Sequence, residues 1–274
     1  MRVWNTNYAI MTNKIAKHAD DSVAETLDTF HRGAFHLLQP ALKGHRSGVD
    51  AMILASSVPG DFSGHVADLG SGAGAAGLAV ASRCKNSRVT LIERSDFMLG
   101  FARKTLAHPL NVAFADRLDI LEADVSLTGK ARAAAGLIDD SFDFAIMNPP
   151  FNEASDRSTP DPVKAEAHVM PEGMFDQWLR TASGIVRPGG GVAIIARPGS
   201  IAQILAALEG RFGGLKIIPI QPRPEGAAIR MVITGIRGSR AGLSLMPALI
   251  LHGNEGNDFT PRAIAINNGQ TSLL

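Results

Sequence analysis

The chain has 274 residues, and at about 150 residues per domain this length allows one large domain or two small ones. Hydrophobic residues make up 45% of it and charged residues 19%, a balance that excludes a wholly disordered protein. The 27 Lys and Arg against 26 Asp and Glu give a net charge of +1, which excludes a histone-like polycation, and the single cysteine excludes a disulfide framework and a cysteine-rich metal site.

The first 60 residues predict an arm and three short elements. Residues 1–21 are polar and weakly periodic, so we expect a loose arm, followed by a helical extension over residues 22–60. The apolar residues of 21–30 share one helical face and predict a short helix. Residues 35–39 then predict a strand, and residues 49–58 predict an apolar helix.

From residue 61 onward, strands and helices alternate in a way that predicts one α/β domain over residues 61–274. The predicted strands are 66–69, 88–92, 118–121, 142–147, 191–196, 215–220 and 229–236. The predicted helices are 75–84, 96–107, 174–186 and 201–208. Because helix-length segments separate most strands, we expect a mostly parallel sheet covered on both faces. The last two strands have no helix between them and predict an antiparallel hairpin, and residues 245–251 and 262–266 could add edge strands.

The apolar stretches of the chain do not have the form of membrane spans. The most apolar one, Val66–Ala81, contains an aspartate and four glycines and is too short and too broken to cross a bilayer. The first residues lack an apolar core of signal-peptide length, and the eight histidines have no metal-ligand spacing. We therefore expect a cytoplasmic protein with no membrane partner and no metal, and the sequence leaves its oligomeric state open.

A glycine-rich turn joins the first predicted strand of this domain to the next helix, in the segment VADLGSGAGAAG at residues 66–77. Glycines at such a turn let a ligand approach backbone N–H groups, and the N-terminus of the helix adds a partial positive charge. Residues 72–77 also match the G-x-G-x-x-G dinucleotide fingerprint, although tight packing of the helix on the strand would explain the same pattern.

Acidic residues lie at or just after the ends of three consecutive predicted strands: Asp68, Glu93 and Asp124. A carboxylate at Asp68 would repel a pyrophosphate but suits an ammonium group, and S-adenosylmethionine has an amino acid end and no phosphate. Glu93 comes roughly 20 residues further on, where an acid accepts ribose hydroxyls, and Asp124 could accept from an adenine amino group. Each acid could instead cap a helix or face solvent, but three at successive strand ends favour S-adenosylmethionine as the cofactor.

The strand predicted over residues 142–147 ends in Asn148-Pro149-Pro150-Phe151. Each proline holds the residue before it extended, so the Asn148 side-chain oxygen and the Pro149 carbonyl can point to one spot. Two converging acceptors suit an amino group, whose lone pair they would turn towards an electrophile, and Phe151 can stack on a planar base or amide. The alternative is a strand end followed by a turn. We predict that these four residues are catalytic.

Together, the glycine-rich turn, Glu93, Asp124 and the Asn148–Phe151 segment resemble the motifs of class I S-adenosylmethionine-dependent methyltransferases of the amino-methylating kind. The resemblance implies a Rossmann-like α/β fold with a seven-stranded, mostly parallel sheet that ends in an antiparallel hairpin. It also implies methyl transfer to an exocyclic amine. The predicted cofactor-binding residues are Arg46, Asp50, Asp68, Gly70, Ser71, Gly72, Gly74, Glu93, Arg94, Asp124, Val125 and Asn148. Arg46 and Asp50 could fold over the cofactor, or form a helix cap and a surface ion pair.

Segments outside these motifs resemble the bacterial valine-tRNA adenine-N6 methyltransferases, which methylate the adenine beside the anticodon. They are residues 38–40, 44–50, 159–168 and 249–252. The resemblance implies an adenine of tRNA as the substrate. Arg211–Arg240 contains six Lys or Arg and one acid, a net charge of +5, so we predict that it forms a phosphate-binding face for tRNA, with a merely solvated face as the alternative.

Three classes of function stay open on the sequence alone. The first is an RNA adenine-N6 methyltransferase acting on tRNA. The second is a methyltransferase acting on another amine, in ribosomal RNA guanine, DNA adenine or protein glutamine, or on a small molecule. The third is a nicotinamide-dependent oxidoreductase, which would bind its cofactor at residues 72–77. This function does not explain the Asn148–Phe151 segment, and the sequence offers no Tyr–Lys or His–Asp pair for hydride transfer.

Overall fold

The computed structural model describes residues 24–41, 48–150 and 173–274, and the backbone of residues 152–153 and 169–170. The arm predicted at residues 1–21, and the segments 44–47 and 159–168, lie outside the described residues. The strands are β1 (Glu25–Phe30), β2 (Phe35–Pro40), β3 (Ser63–Leu69), β4 (Asn86–Glu93), β5 (Leu118–Glu122), β6 (Phe142–Met147), β7 (Asn152–Glu153), β8 (Val169–Met170), β9 (Val186–Ala196), β10 (Phe212–Gln221), β11 (Arg230–Arg237), β12 (Ser244–Leu245) and β13 (Leu249–Ile250). The α-helices are α1 (Val49–Ala55), α2 (Ala75–Arg83), α3 (Asp96–Leu106), α4 (Val112–Ala115), α5 (Gly129–Ala134), α6 (Met174–Ile185), α7 (Ile201–Leu208) and α8 (Pro261–Asn267). None of these helices is long and apolar enough to cross a membrane.

Nine of the described strands form the central sheet, in the order β12-β10-β11-β9-β6-β3-β4-β5, with β13 also paired to β10. The five strands β5, β4, β3, β6 and β9 are parallel to one another. Strand β11 is antiparallel to both of its neighbours, β9 and β10. The predicted seven-stranded core and its C-terminal hairpin are therefore confirmed, and the two-residue strands β12 and β13 extend it along β10.

Side chains of the central strands alternate between two covered faces, as the pleat of a strand requires. Val66 and Ile146 pack with α1 and α2 on one side, which we name the α1 face. Ala67 and Met147 pack with α6 and α7 on the other, the α6 face. Each strand is apolar on both sides because both faces of the parallel sheet are covered.

Two predicted elements are wrong, and the extension predicted as helical over residues 22–60 contains the β1–β2 hairpin as well as helix α1 in its described part. The boundary at residue 61 stays a prediction. The described part of 21–30 is strand β1, which pairs with β2 from Glu25 opposite Pro40 to Phe30 opposite Phe35. Pairing along the whole hairpin outweighs the local helical pattern. Residues 262–266 lie in helix α8 and not in an edge strand, because Thr260 accepts a hydrogen bond from the Ala263 N–H at 3.2 Å and caps the helix.

The turn of the β1–β2 hairpin buries a histidine against helix α2. His31 has a left-handed φ of 47°, and its Nδ1 lies 2.7 Å from Ser82 Oγ. Its ring meets the Phe35 ring edge-on, with centroids 5.1 Å apart. Burial, with a contribution from the Arg83 charge, lowers the pKa of His31 to about 4.

We expect the free energy of unfolding to fall as the pH drops from about 6.5 to about 4. In this window the unfolded chain binds a proton on His31 and the folded chain does not, so acid favours unfolding. The shift corresponds to about 3 kcal/mol in total, with about 2 kcal/mol of it between pH 7 and pH 5. Urea unfolding of the wild type and of His31→Asn at both pH values measures it, since asparagine tolerates this φ and does not titrate. The same pH dependence in both proteins would contradict this assignment.

Candidate functional site

The strands β3, β4, β5 and β6 end at one edge of the sheet, which we name the carboxyl edge; the opposite edge is the amino edge. From β3 the chain moves outward to β4 and β5, then returns to the other side of β3 with β6 and continues to β9. In open α/β sheets such a reversal opens a crevice for ligands. Leu69 is opposite Met147 in the register, so Gly70 and Asn148 leave the sheet side by side at this crevice.

The glycine loop after β3 needs glycine for its backbone. Gly70, Gly72 and Gly74 have φ values of 68°, 57° and 96°, in the left-handed region that other residues rarely adopt. The N–H groups of Gly70 and Ser71 donate to the carbonyl of Ile92, at 2.9 and 3.0 Å, and tie the loop to β4. The loop is therefore a fixed turn at the mouth of the crevice.

A tryptophan of helix α6 packs directly on this loop. A Cβ atom at Gly70 would lie 2.4 Å from Cη2 of Trp178, so the indole occupies the space that a side chain would need. Sequence reasoning missed Trp178, because it lies more than 100 residues away and the only local signal is its position on an apolar helix. Trp178 couples the position of α6 to the glycine loop.

Asp68 is buried at the end of β3, with 2% of its surface exposed. Its Oδ2 accepts a hydrogen bond from the Gly77 N–H at 2.8 Å, which caps the first turn of α2. Burial raises the pKa of Asp68 to about 7, a shift that the Gly77 bond opposes and the Glu93 charge increases. Asp68 therefore caps helix α2, the alternative role that the sequence left open, and its carboxyl group titrates near neutral pH.

Glu93 joins the glycine loop to the start of helix α3. Its Oε2 accepts from the Gly72 N–H at 2.9 Å, and its Oε1 accepts from the N–H groups of Arg94 and Ser95, each at 2.9 Å. Three backbone donors hold the carboxylate in one orientation at the end of β4. It lies next to Gly72 at the carboxyl edge, and its contact with a cofactor stays a prediction.

Asp124 follows β5 at the same edge of the sheet. Its Oδ1 accepts from the Ser126 N–H at 2.8 Å, and its Oδ2 lies 3.4 Å from Nη1 of Arg94. Partial burial acts to raise the pKa of Asp124, but the Ser126 bonds and the Arg94 charge outweigh it, so the pKa lies below its usual value. Asp124 is thus an ionised acceptor, and Val125 beside it is buried.

Asn148 carries a buried oxygen that the described residues do not satisfy. Its Oδ1 has no hydrogen-bond partner among them, and the same holds for Oγ of Ser71 in the glycine loop. Leaving such a group unpaired costs about 1–3 kcal/mol, which a ligand with suitable donors would recover. The predicted partners Pro149 and Pro150 directly follow Asn148, whereas Phe151 lies outside the described residues.

The predicted site residue Asp50 forms an ion pair with an arginine of β11. Its Oδ2 lies 2.8 Å from Nε of Arg230, and about a quarter of each side chain is exposed. Arg230 begins the antiparallel strand β11 and therefore lies at the carboxyl edge, opposite the end of β9. Asp50 therefore forms an ion pair, which the sequence analysis left open as the alternative to a contact with the cofactor. Arg46 lies outside the described residues.

The six basic residues of Arg211–Arg240 do not form one face, which corrects the sequence prediction. Arg211 and Arg237 lie at the amino edge and Arg223 and Arg230 at the carboxyl edge, about 30 Å away at 3.3 Å per residue of β10. Four of the six bind the fold itself. These pairs are Arg211 with Asp176 at 3.0 Å, Arg223 with the carbonyls of Gly253 and Gly256 at 2.6 Å, Arg230 with Asp50, and Arg237 with Asp140. The net charge of a segment does not show that the basic residues at the two ends of β10 and β11 lie at opposite edges of the sheet.

The described residues contain no group of three or more His, Cys, Asp or Glu that could hold a metal ion.

Comparison with known proteins gives three informative similarities and one family match. The model of the methyltransferase small domain family matches residues 46–219. The crystal structure of a predicted O-methyltransferase from Agrobacterium tumefaciens is 47% identical with a TM-score of 0.71, and the match covers 81% of this chain and 97% of that one. A tRNA1(Val) (adenine(37)-N6)-methyltransferase from Glaesserella parasuis serovar 5 is 26% identical over 147 residues, which are 53% of this chain and 57% of the relative. The ribosomal RNA small subunit methyltransferase C of Haemophilus influenzae is 31% identical over 106 residues, 38% of this chain and 27% of the relative. The matches thus span less than two thirds of the length of these two curated relatives.

Proposed function

Because this chain belongs to the methyltransferase small domain family, we propose that it transfers the methyl group of S-adenosylmethionine to the N6 amine of an adenine in tRNA. The observation that carries the proposal is the buried Asn148 oxygen beside the glycine loop, which has no hydrogen-bond partner among the described residues. An acceptor in that position calls for an N–H donor on the ligand. An adenine amine supplies such donors.

The residues at the carboxyl edge fit S-adenosylmethionine by the chemistry of their acceptors. Glu93 would accept the ribose hydroxyls, Asp124 would accept from the adenine amine, and Asp68 would face the ammonium group. The Ser71 hydroxyl, unpartnered among the described residues, lies in the loop that would hold the amino acid end. When bound, this cofactor supplies a methyl group on a positively charged sulfur.

Asn148 orients the amine in this scheme. Its Oδ1 accepts one N–H, the Pro149 carbonyl accepts the other, and the nitrogen lone pair then points to the methyl group. As the new N–C bond formed, the bond between the methyl carbon and the sulfur would break and S-adenosylhomocysteine would be the leaving group. The nitrogen would become acidic only in this step and would then release its proton to solvent, so no side chain has to remove the proton beforehand. The rate enhancement comes mainly from holding the reacting atoms in line.

The substrate class rests on the two curated relatives, whose names assign both to RNA. Ribosomal RNA is the second candidate, since the ribosomal RNA enzyme has the higher identity of the two, 31% over 106 residues. The Agrobacterium relative is named an O-methyltransferase. A hydroxyl donates one hydrogen and would leave one of the two acceptors empty, so the pair Asn148 and Pro149 favours an amine.

A comparison of modified nucleosides tests this function. Total tRNA and ribosomal RNA from a deletion strain and its parent are digested and measured by mass spectrometry, which separates N6-methyladenosine from O-methylated nucleosides. We expect N6-methyladenosine to decrease in the tRNA of the deletion strain and to return when the purified enzyme and S-adenosylmethionine are added. Unchanged nucleosides in both RNA classes would refute the RNA substrate, and a lost O-methylated nucleoside would refute the amine.

We expect the affinity for S-adenosylmethionine to rise with pH up to about 7 and then to level off. Below that pH the Asp68 carboxyl is protonated, and it must release its proton before it can face an ammonium group. Calorimetry between pH 5.5 and pH 7.5 measures the effect. The matched variant Asp68→Asn keeps an acceptor for Gly77 but does not titrate, so it should bind more weakly at pH 7, by about 1–3 kcal/mol, and show no such rise. A steep pH dependence in that variant would assign the effect to another group.

A further inference from the structure

We propose that Arg94 is a specificity-determining residue of the cofactor site, because it holds the Asp124 oxygen that the adenine amine of S-adenosylmethionine would use. The proposal rests on the proposed function, which gives Asp124 the task of accepting from that amine. Arg94 then has to leave Asp124 whenever the cofactor binds. It therefore weakens binding of the adenine and lowers the preference of the site for a 6-amino over a 6-oxo purine.

Arg94 and Asp124 meet across the ends of two neighbouring strands. Arg94 follows the last residue of β4, and Asp124 comes two residues after the end of β5. Glu93 and Glu122 are opposite each other in the register, so Arg94 and Asp124 both lie at the carboxyl edge. Nη1 of Arg94 reaches across to Oδ2 of Asp124 at 3.4 Å. This contact links the two strand ends at which the adenosine part of the cofactor would bind.

The two oxygens of Asp124 have different partners. Oδ1 accepts from the Ser126 N–H at 2.8 Å, a bond between residues that are two apart in the chain. Oδ2 accepts from Arg94 at 3.4 Å, a long contact between side chains of which 34% and 57% are exposed. The Ser126 bond is short and local and should persist, so the Arg94 contact is the one that an incoming donor replaces.

An ion pair as exposed as this one is weak and sensitive to salt. Such a pair changes an equilibrium constant by at most about fivefold, and dissolved ions screen it. A hydrogen bond from a neutral amine to the same carboxylate depends much less on salt. The affinity for the adenine should therefore rise with salt, whereas the attraction between a cationic ligand and an acidic site falls with salt.

The exocyclic group of the purine decides whether Arg94 has to move. The 6-amine of adenine donates hydrogen bonds, so it competes with the guanidinium for Asp124. The 6-carbonyl of hypoxanthine only accepts, so it cannot replace Arg94 on the carboxylate, but it can share the guanidinium while Arg94 stays in place. Removal of the guanidinium should therefore strengthen the binding of adenine and not that of hypoxanthine.

Calorimetric binding of S-adenosylhomocysteine and S-inosylhomocysteine by Arg94→Met tests the proposal over a series of salt concentrations. The two ligands differ only in this exocyclic group and carry no net charge, so the ratio of their affinities isolates its contribution. In the wild type we expect the ratio to rise with salt. In Arg94→Met it should be about three to five times the wild-type ratio at low salt and stay nearly constant as salt is added. Arg94→Lys should keep the rise with salt, because lysine keeps the charge.

The matched control is Arg103→Met, which removes another exposed pair beside the end of β5, that of Arg103 with Glu122 at 3.6 Å. It should keep the wild-type ratio and its rise with salt, so it separates the Arg94 contact from the general loss of a positive charge. An unchanged ratio in Arg94→Met would overturn the proposal and leave the proposed function intact. Weaker binding of S-adenosylhomocysteine by Arg94→Met would do the same, because Arg94 would then hold the cofactor. A wild type that binds neither ligand nor S-adenosylmethionine would overturn both.

Discussion

Asn148→Ala is expected to lose at least about 100-fold in methyl transfer while it binds S-adenosylmethionine within a few-fold of the wild type. The Asn148 oxygen lies buried and without a partner among the described residues, so its loss removes an acceptor meant for the ligand. Under the proposed function that acceptor would act on the amine in its reacting geometry, so the loss should fall on the chemical step and not on binding of the cofactor. Single-turnover methylation with saturating cofactor measures it directly.

The matched control for Asn148→Ala is Ser71→Ala, which removes a second buried oxygen at this edge that has no partner in the described part of the chain. Ser71 belongs to the glycine loop, so its loss should reduce cofactor affinity and leave the single-turnover rate at saturation nearly unchanged. A rate near the wild type in Asn148→Ala would mean that Asn148-Pro149-Pro150 only ends strand β6.

Gly70→Ala is expected to lower the free energy of unfolding by about 2 to 5 kcal/mol, and with it the affinity for the cofactor. Two costs add up. A left-handed φ of 68° disfavours any side chain, and the new Cβ would lie 2.4 Å from Trp178 Cη2, so the loop or helix α6 must shift. Urea unfolding gives the stability, and calorimetry with S-adenosylmethionine gives the affinity.

Two further variants separate these costs. Gly33 also has a positive φ, 92°, but no described atom lies within 4 Å of a Cβ built there, so Gly33→Ala measures the backbone cost alone. Adding Trp178→Leu to Gly70→Ala should recover the part due to the clash. Equal losses in Gly70→Ala and Gly33→Ala would mean that Trp178 does not constrain the loop.

The parallel core of the fold could be predicted from the sequence because its signals are local. Residues 142–147 and 201–208 have the predicted bounds, since a buried strand and an amphipathic helix are each set by a short apolar pattern. Local signals were also present where prediction failed. Thr260-Pro261 is a typical helix start, and it overrides the strand-like pattern of the residues that follow. The helices α4 and α5 are too short to give a clear pattern.

Contacts between distant parts of the chain could not be predicted in this way. The sequence indicates that Gly70 belongs to a glycine-rich turn, but it does not indicate that Trp178 occupies the space where a side chain at position 70 would lie. It indicates that Asp50 has an ionic role but not that Arg230, 180 residues later, is the partner. The sequence predicts the hairpin of β10 and β11, but the pairing of β11 with β9, which places Arg230 at the carboxyl edge, is seen only in the sheet.

The order of strands in the sheet has a consequence for how such enzymes diversify. Strands β3, β4 and β5, with the three acids, come from one uninterrupted stretch of the gene, and β6, β9 and β11, with Asn148 and Arg230, come from the stretch that follows it. Under the proposed function, recombination at a single crossover between codons 124 and 142 would therefore join the half proposed to bind the methyl donor to the half of a relative that binds the methyl acceptor. Within such a lineage, the molecule that receives the methyl group can change while the molecule that donates it stays the same.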